Sequence, residues 1–294
     1  MTRDFTEKSI LVFSWTMTVT LCAVVLAFVG YLLFNGFPSL GAELIFGDVP
    51  PLAALLGRTR VFEGIFAATV GTLYLVVWST ALAVPTGVAA GIYLAEYAKP
   101  PIKSLFGFFF DVLAGIPSIV IGLFGFSVAI FLHKQFSENL GPSLLISALS
   151  LAFLVLPYII RSTQVSLENL PAHIRKTAPA LGATRLQNIV YVLIPRALAG
   201  IISGVILSIG RCAEDTAVIM LTGVVATAGV PTSPLSPYEA LPFYIYYISS
   251  QYSDQAELAR GYGSCLILLA TCTILFMLAY YIQRSLTYRT LYRA

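Results

Sequence analysis

The chain has 294 residues, 58% of them hydrophobic and 11% charged, with a formal charge of +3. Soluble domains carry roughly 45–50% apolar and about 25% charged residues. With under half that charge and a mean hydropathy of +0.86, this composition excludes disorder, a secreted disulfide scaffold and a nucleic-acid reader. Cys22, Cys212, Cys265 and Cys272 lie in apolar stretches without a CxxC pair and read as small hydrophobes. His133 and His173 lack ligand spacing, so neither a metal nor another cofactor is expected.

A membrane-spanning helix needs ~20 apolar residues. Six segments qualify, at 10–34, 64–93, 112–132, 143–160, 197–221 and 264–282. The first is too long for a signal-peptide core and no A-x-A site follows it, so it reads as a retained anchor. Twelve Lys and Arg fall on one side, in the N-tail (Arg3, Lys8), the second loop (Lys99, Lys103), the fourth loop (Arg161, Arg175, Lys176, Arg185, Arg196) and the C-tail (Arg284, Arg289, Arg293). Four fall on the other: Arg58, Arg60, Lys134 and Arg260. The bias predicts both termini in the cytoplasm.

Gly87/Gly91 and Gly200/Gly204 form GxxxG pairs that let helix backbones approach closely. Around Gly115, Pro117 and Ser118 the third span is expected either to break, as helices lining a cavity do, or simply to kink. The fifth span carries Arg211, with Glu214 and Asp215 at i+3 and i+4 on its face and Thr216 next. Intramembrane charges face a bundle interior or a wet cavity. The cluster reads either as salt-bridged packing or as a site on a transport path. At 1.5 Å per residue, Arg211 is ~21 Å beyond Ala197 and outward of the midplane of a ~30 Å core.

The loop 161–196 is more than a linker. Pro171 opens a helix, Gly182 can close it in the left-handed conformation, and Thr184 with Gln187 forms a capping box before Ile189, Val190 and Val192. Pro179 is expected to kink the first helix. Two short helices joined at Gly182 make a candidate docking surface.

Here a resemblance becomes specific. Ala178-x3-Gly182, nine residues, then Val192-Leu193-Ile194-Pro195 resembles the EAA loop of importer-type ABC permeases. Lys176 and Thr177 stand where that family has Glu and Ala. Further stretches resemble phosphate importer permeases: 90–98 at the end of span two, 113–125 in span three, Leu181 to Arg185, and Gly210-Arg211-x2-Glu214-Asp215-Thr216, where Asp215 replaces a commoner Glu. Leu241-Pro242-x2-Ile245-Tyr246 is similar to the PstA-type subunit rather than its PstC-type partner.

The resemblance implies an all-α, six-helix type I ABC importer permease in the cytoplasmic (inner) membrane. It would comprise a tail, anchor and external loop (1–63), a permease core (64–283) with the coupling loop 161–196, and a C-terminal tail (284–294). Implied partners are a homologous PstC-like permease, two ATPase subunits and an extracytoplasmic phosphate-binding protein. Arg175, Lys176, Thr177, Ala178, Leu181, Gly182, Ala183, Thr184 and Pro195 would couple to the ATPase. Arg211, Glu214, Asp215 and Thr216 would line the substrate path, and Gly115, Pro117 and Ser118 would form a break or gate. Phosphate is the implied cargo, with tungstate or molybdate as alternatives.

None of the five Lys follows a Gly, so the chain has no G-x-x-x-x-G-K-[ST] and cannot hydrolyse ATP by that route. A membrane-embedded enzyme built on Arg211, Glu214 and Asp215 would lack a nucleophile–base pair.

Overall fold

The computed structural model describes residues 2–47, 49–50, 64–136 and 141–292, with side chains described from 7 to 286 within those limits. Arg58, Arg60 and Arg293, counted above for orientation, lie outside the described residues, as do the side chains of Arg3 and Arg289.

The helices are α1 (Thr2–Gly36), α2 (Ala42–Phe46), α3 (Phe66–Ile92), α4 (Pro100–Ala114), α5 (Ser118–Gln135), α6 (Leu144–Glu168), α7 (Ala172–Ala180), α8 (Arg185–Asn188), α9 (Ile194–Glu214), α10 (Ala217–Thr222), α11 (Leu241–Gln251) and α12 (Gln255–Tyr292). A π-helical turn, Tyr93–Tyr97, extends α3, and a second, Ile189–Leu193, joins α8 to α9. Among the described residues six stretches are long and apolar enough to cross a membrane: Glu7–Ser39, Phe66–Tyr97, Ser118–Gln135, Leu144–Glu168, Arg185–Glu214 and Gln255–Leu286.

Burial ranks these spans. The most apolar window of α6 is 67% buried and that of the first span 0%. So α6 is the central post, and α1 shows its Leu, Val and Phe side chains outward, as an anchor in lipid would. The main core gathers Leu75 and Val76 of α3, Leu151 and Val155 of α6, Ala213 of α9 and Ile219 of α10. The buried hydroxyls of Thr72, Ser79, Ser150 and Ser208 are satisfied within their own helices, as where Ser150 Oγ donates to the Ile146 carbonyl at 2.8 Å, whereas those of Ser143, Thr163 and Tyr238 have no partner.

Both GxxxG pairs face α6. A Cβ on Gly91 would stand 2.6 Å from Thr163 Cβ, and one on Gly87 would stand 2.8 Å from Ile159 Cγ2. Gly200 and Gly204 rest on Ser166 and Ser162, and Ser162 Oγ donates to the Gly200 carbonyl at 2.7 Å. The absent side chains let the three backbones pack closely and set their register.

The sixth span is longer than the expected 264–282, running Gln255–Tyr292, and three other boundaries differ at a break or a polar end. The third span starts at Ser118, because Gly115 (ψ −8°) ends α4 and Pro117 (ψ 136°) is extended, so the chain breaks rather than kinks. Residues 112–114 therefore belong to α4. The fourth span does not stop at 160. It runs to Glu168 because its added polar residues find partners: Gln164 donates to Glu168 at 2.8 Å, and Lys103 pairs with Glu168 at 2.6 Å. The fifth span is not one helix to 221. It ends at Glu214, Asp215 turns extended (ψ 114°), and α10 restarts at Ala217.

Candidate functional site

The Arg211 cluster sits at that second break. Asp215 is buried, and its Oδ1 accepts from the Val218 amide at 2.9 Å, capping the restarted helix. Its Oδ2 lies 3.9 Å from Arg211 Nη2, while Glu214 Oε1 lies 3.7 Å from Arg211 Nη1. Charge-assisted N–H···O bonds are about 2.7–2.9 Å, so neither carboxylate clamps the guanidinium. Arg211 Nε is buried without a hydrogen-bond partner, yet the side chain as a whole stays 41% exposed.

The guanidinium opens on a cavity of about 240 Å³ lined by Tyr158, Leu207, Gly210, Arg211, Glu214 and Phe276. Tyr158 is ~15 Å from the Glu168 end of α6 at 1.5 Å per residue, so the cavity lies part-way along the spans; Leu207, Phe276 and the Glu214 side chain are exposed around it, so it opens on the surface of this chain. It draws on α6, α9 and α12. Thr216 is half-buried beside the break. Gly115 and Pro117 are exposed and Ser118 half-buried, at the α4–α5 break. Tyr158 and Phe276 escape the sequence reading. Pro157 within α6 was the only local signal for the first, and Phe276 is one aromatic among many in an apolar span.

The loop helices form as their end signals require. Gly182 takes φ +85°, and its amide bonds to the Pro179 carbonyl at 3.0 Å. Thr184 Oγ1 accepts from the Gln187 amide at 3.3 Å, and Gln187 Oε1 accepts from the Thr184 amide at 2.8 Å, completing the capping box. Pro179 does not kink α7, because it falls in the last turn, with α7 ending at Ala180. Lacking an N–H, it cannot bond the Arg175 carbonyl one turn back. Asn188 Nδ2 donates to that carbonyl instead, at 3.0 Å.

Lys176, Thr177, Leu181, Gly182 and Thr184 are exposed, and Leu181 shows 85% of its surface. Ala178, Ala183 and Pro195 are half-buried. Arg175 turns inward: its Nη2 donates to the Leu167 carbonyl at 2.6 Å and lies 3.0 Å from Glu96 Oε1. Glu96, the last acid of an apolar span, is a residue the sequence reading left without a role.

Residues 87–288 match the family described as binding-protein-dependent transport system inner membrane component. The chain belongs to this family. The phosphate transport system permease protein PstA of Haemophilus influenzae is 30% identical to it over 247 residues, covering 83% of each chain. The probable ABC transporter permease protein YqgI of Bacillus subtilis is 27% identical, over 91% of this chain and 92% of that one.

Among solved structures, the bacterial alginate ABC transporter in complex with alginate pentasaccharide-bound periplasmic protein aligns over 93% of this chain and 95% of its own, with a TM-score of 0.62 at 14% identity. The inward facing MetNI methionine ABC transporter aligns over 81% and 99%, with a TM-score of 0.57 at 18% identity. At such identities the likeness shows the fold, which is that of a type I ABC importer permease. This permease is a multi-pass inner membrane protein and a transport subunit, not an enzyme.

Proposed function

We propose that this permease carries inorganic phosphate inward by alternating access, as one half of a pathway completed by a homologous permease. Two ATPase subunits would dock on the loop 161–196, and an extracytoplasmic binding protein would deliver the anion at the opposite end. Both termini then lie in the cytoplasm. Relatives named as phosphate transport system permease proteins in Haemophilus influenzae, Pasteurella multocida and Yersinia pestis, at 30%, 29% and 30% identity, support that cargo.

The observation that carries the site assignment is the loosely held Arg211. A packing cluster would close its ion pairs, whereas here both contacts stay near 4 Å and a cavity of about 240 Å³ lies open beside the guanidinium. Arg211 can exchange a carboxylate for a passing oxyanion, which it can grip with two parallel N–H groups. Asp215 and Glu214 keep the net charge of the trio at −1 when all ionise, so the anion is held weakly and leaves again. A carboxylate there also accepts a hydrogen bond from the O–H that phosphate retains near neutral pH.

Uptake of labelled phosphate by the assembled transporter, with tungstate and molybdate as competitors, tests both parts. Arg211→Gln is expected to abolish uptake while assembly and ATPase association persist. Full uptake by that variant rejects the transport role of Arg211. Loss of assembly assigns it to packing, and uptake of tungstate or molybdate in preference to phosphate rejects the substrate.

A further inference from the structure

The π-helical turn Tyr93–Tyr97 that ends span two touches both loop helices at once. Arg175 Nη2 of α7 forms an ion pair with Glu96 Oε1 at 3.0 Å, without hydrogen-bond geometry, and donates its hydrogen bond to the Leu167 carbonyl of α6. Arg185 of α8 lies over the Tyr97 ring, 4.6 Å from its centroid, within cation–π range. The Glu96 side chain is only 10% exposed, so its charge has little water to fall back on. Beneath these contacts Ile174 of α7 packs into a cluster with Ile92, Ala95, Leu167 and Ile189. Asn188 closes the set by tying α8 to the α7 backbone.

From that turn the route inward is closely packed. The α3 helix bears on α6 through Gly87 and Gly91, at Ile159 and Thr163. The next residue of α6 toward the far end, Tyr158, lines the Arg211 cavity. Single π turns within helices recur at functional sites, and this one re-aims the last turn of span two toward the loop.

We infer that Glu96 and Tyr97 form the socket through which the 161–196 loop drives span two, so that displacement of the loop by the ATPase reaches the cavity. Glu96 and Arg175 are positioning residues, since neither touches cargo. This inference rests on the proposal that the loop docks an ATPase. It does not depend on which oxyanion is carried.

The test uses the complete transporter in liposomes, comparing wild type with Glu96→Gln, Tyr97→Leu, and the exchanged pair Glu96→Arg with Arg175→Glu. Positions along a coupling network change transmitted effects by roughly two- to thirtyfold. Glu96→Gln is expected to lower cargo accumulated per ATP hydrolysed within that range while the complex assembles and hydrolyses ATP normally, with a smaller loss for Tyr97→Leu. The exchanged pair is expected to recover most of the ratio lost by Glu96→Arg alone. Unchanged ratios overturn the inference, as does a loss that tracks assembly and is not recovered by the exchange.

A second measurement needs no cargo. Spin labels at Leu181→Cys and Tyr93→Cys, in a chain whose four native Cys are replaced, report the loop-to-turn distance as ATP binds. The distance is expected to stay constant in wild type and to broaden with Glu96→Gln. Equal distributions in both sink the socket. A wild type that keeps this distance yet takes up no phosphate sinks only the substrate reading.

Discussion

Replacing Asn188 by Ala tests the account of how the loop helices hold together. The Asn188 side chain is buried and its Nδ2 serves the Arg175 carbonyl that Pro179 leaves without a helical donor. A net hydrogen bond contributes about 0.5–1.5 kcal/mol, and a carbonyl left unpaired in a buried setting costs about 1–3 kcal/mol. Asn188 Oδ1 has no partner, so truncation also removes an unsatisfied acceptor and offsets part of that loss. The expected cost is therefore about 1 kcal/mol, or roughly fivefold in the population of the opened loop. Pro179→Ala supplies an N–H at the position that can bond the Arg175 carbonyl directly. In that background Asn188→Ala should cost only a few tenths of a kcal/mol, giving a coupling of about 1 kcal/mol between residues in one hydrogen-bond network. The native-state rate of proteolysis between residues 169 and 188 of the detergent-solubilised chain follows the opened population. An equal acceleration by Asn188→Ala in both backgrounds would refute the substitution of one donor for the other.

Gly182 at φ +85° has open space where a Cβ would stand, so a substitution meets backbone strain alone. Asn, which tolerates this conformation, should be accepted; Val should cost upwards of about 1–2 kcal/mol and weaken ATPase association in a pull-down. Equal association for the two variants contradicts the assignment. Burial pushes the Glu239 carboxyl up to about 7 from 4.5, against the opposing hydrogen bond from the Gly229 amide. Stability held by its protonated form is complete below pH 4.5 and is lost as pH rises through about 7. The melting temperature in detergent should therefore fall from pH 5 to 8 in wild type and less steeply in Glu239→Gln; parallel curves reject the burial effect. Alkaline phosphatase fused to the C-terminus should be inactive, since that enzyme folds outside the cytoplasm, and an active fusion overturns the orientation.

The sequence alone determined whatever depends on neighbours within about one helical turn. The spans follow from composition, because residues that cannot meet water must meet lipid or one another. The α7–α8 pair follows from local signals: Thr184 and Gln187 cap each other three residues apart, and Gly182 turns the chain without help from elsewhere. Arg211, Glu214 and Asp215 were legible as one cluster because a helix puts i, i+3 and i+4 on one face. The tertiary structure decided whatever needed a partner far along the chain. No Gly or Pro marks the break at Asp215–Thr216. The restarted α10 packs on Gly122 of α5, and a Cβ at that glycine would stand 3.0 Å from the Ala217 carbonyl. The inward turn of Arg175 needed Glu96 from another span, and the carbonyl left by Pro179 needed Asn188. The cavity needed α6, α9 and α12 together. Periodicity says which face of a helix is apolar but not which helix will cover it, and only packing brings Tyr158 and Phe276 to Arg211.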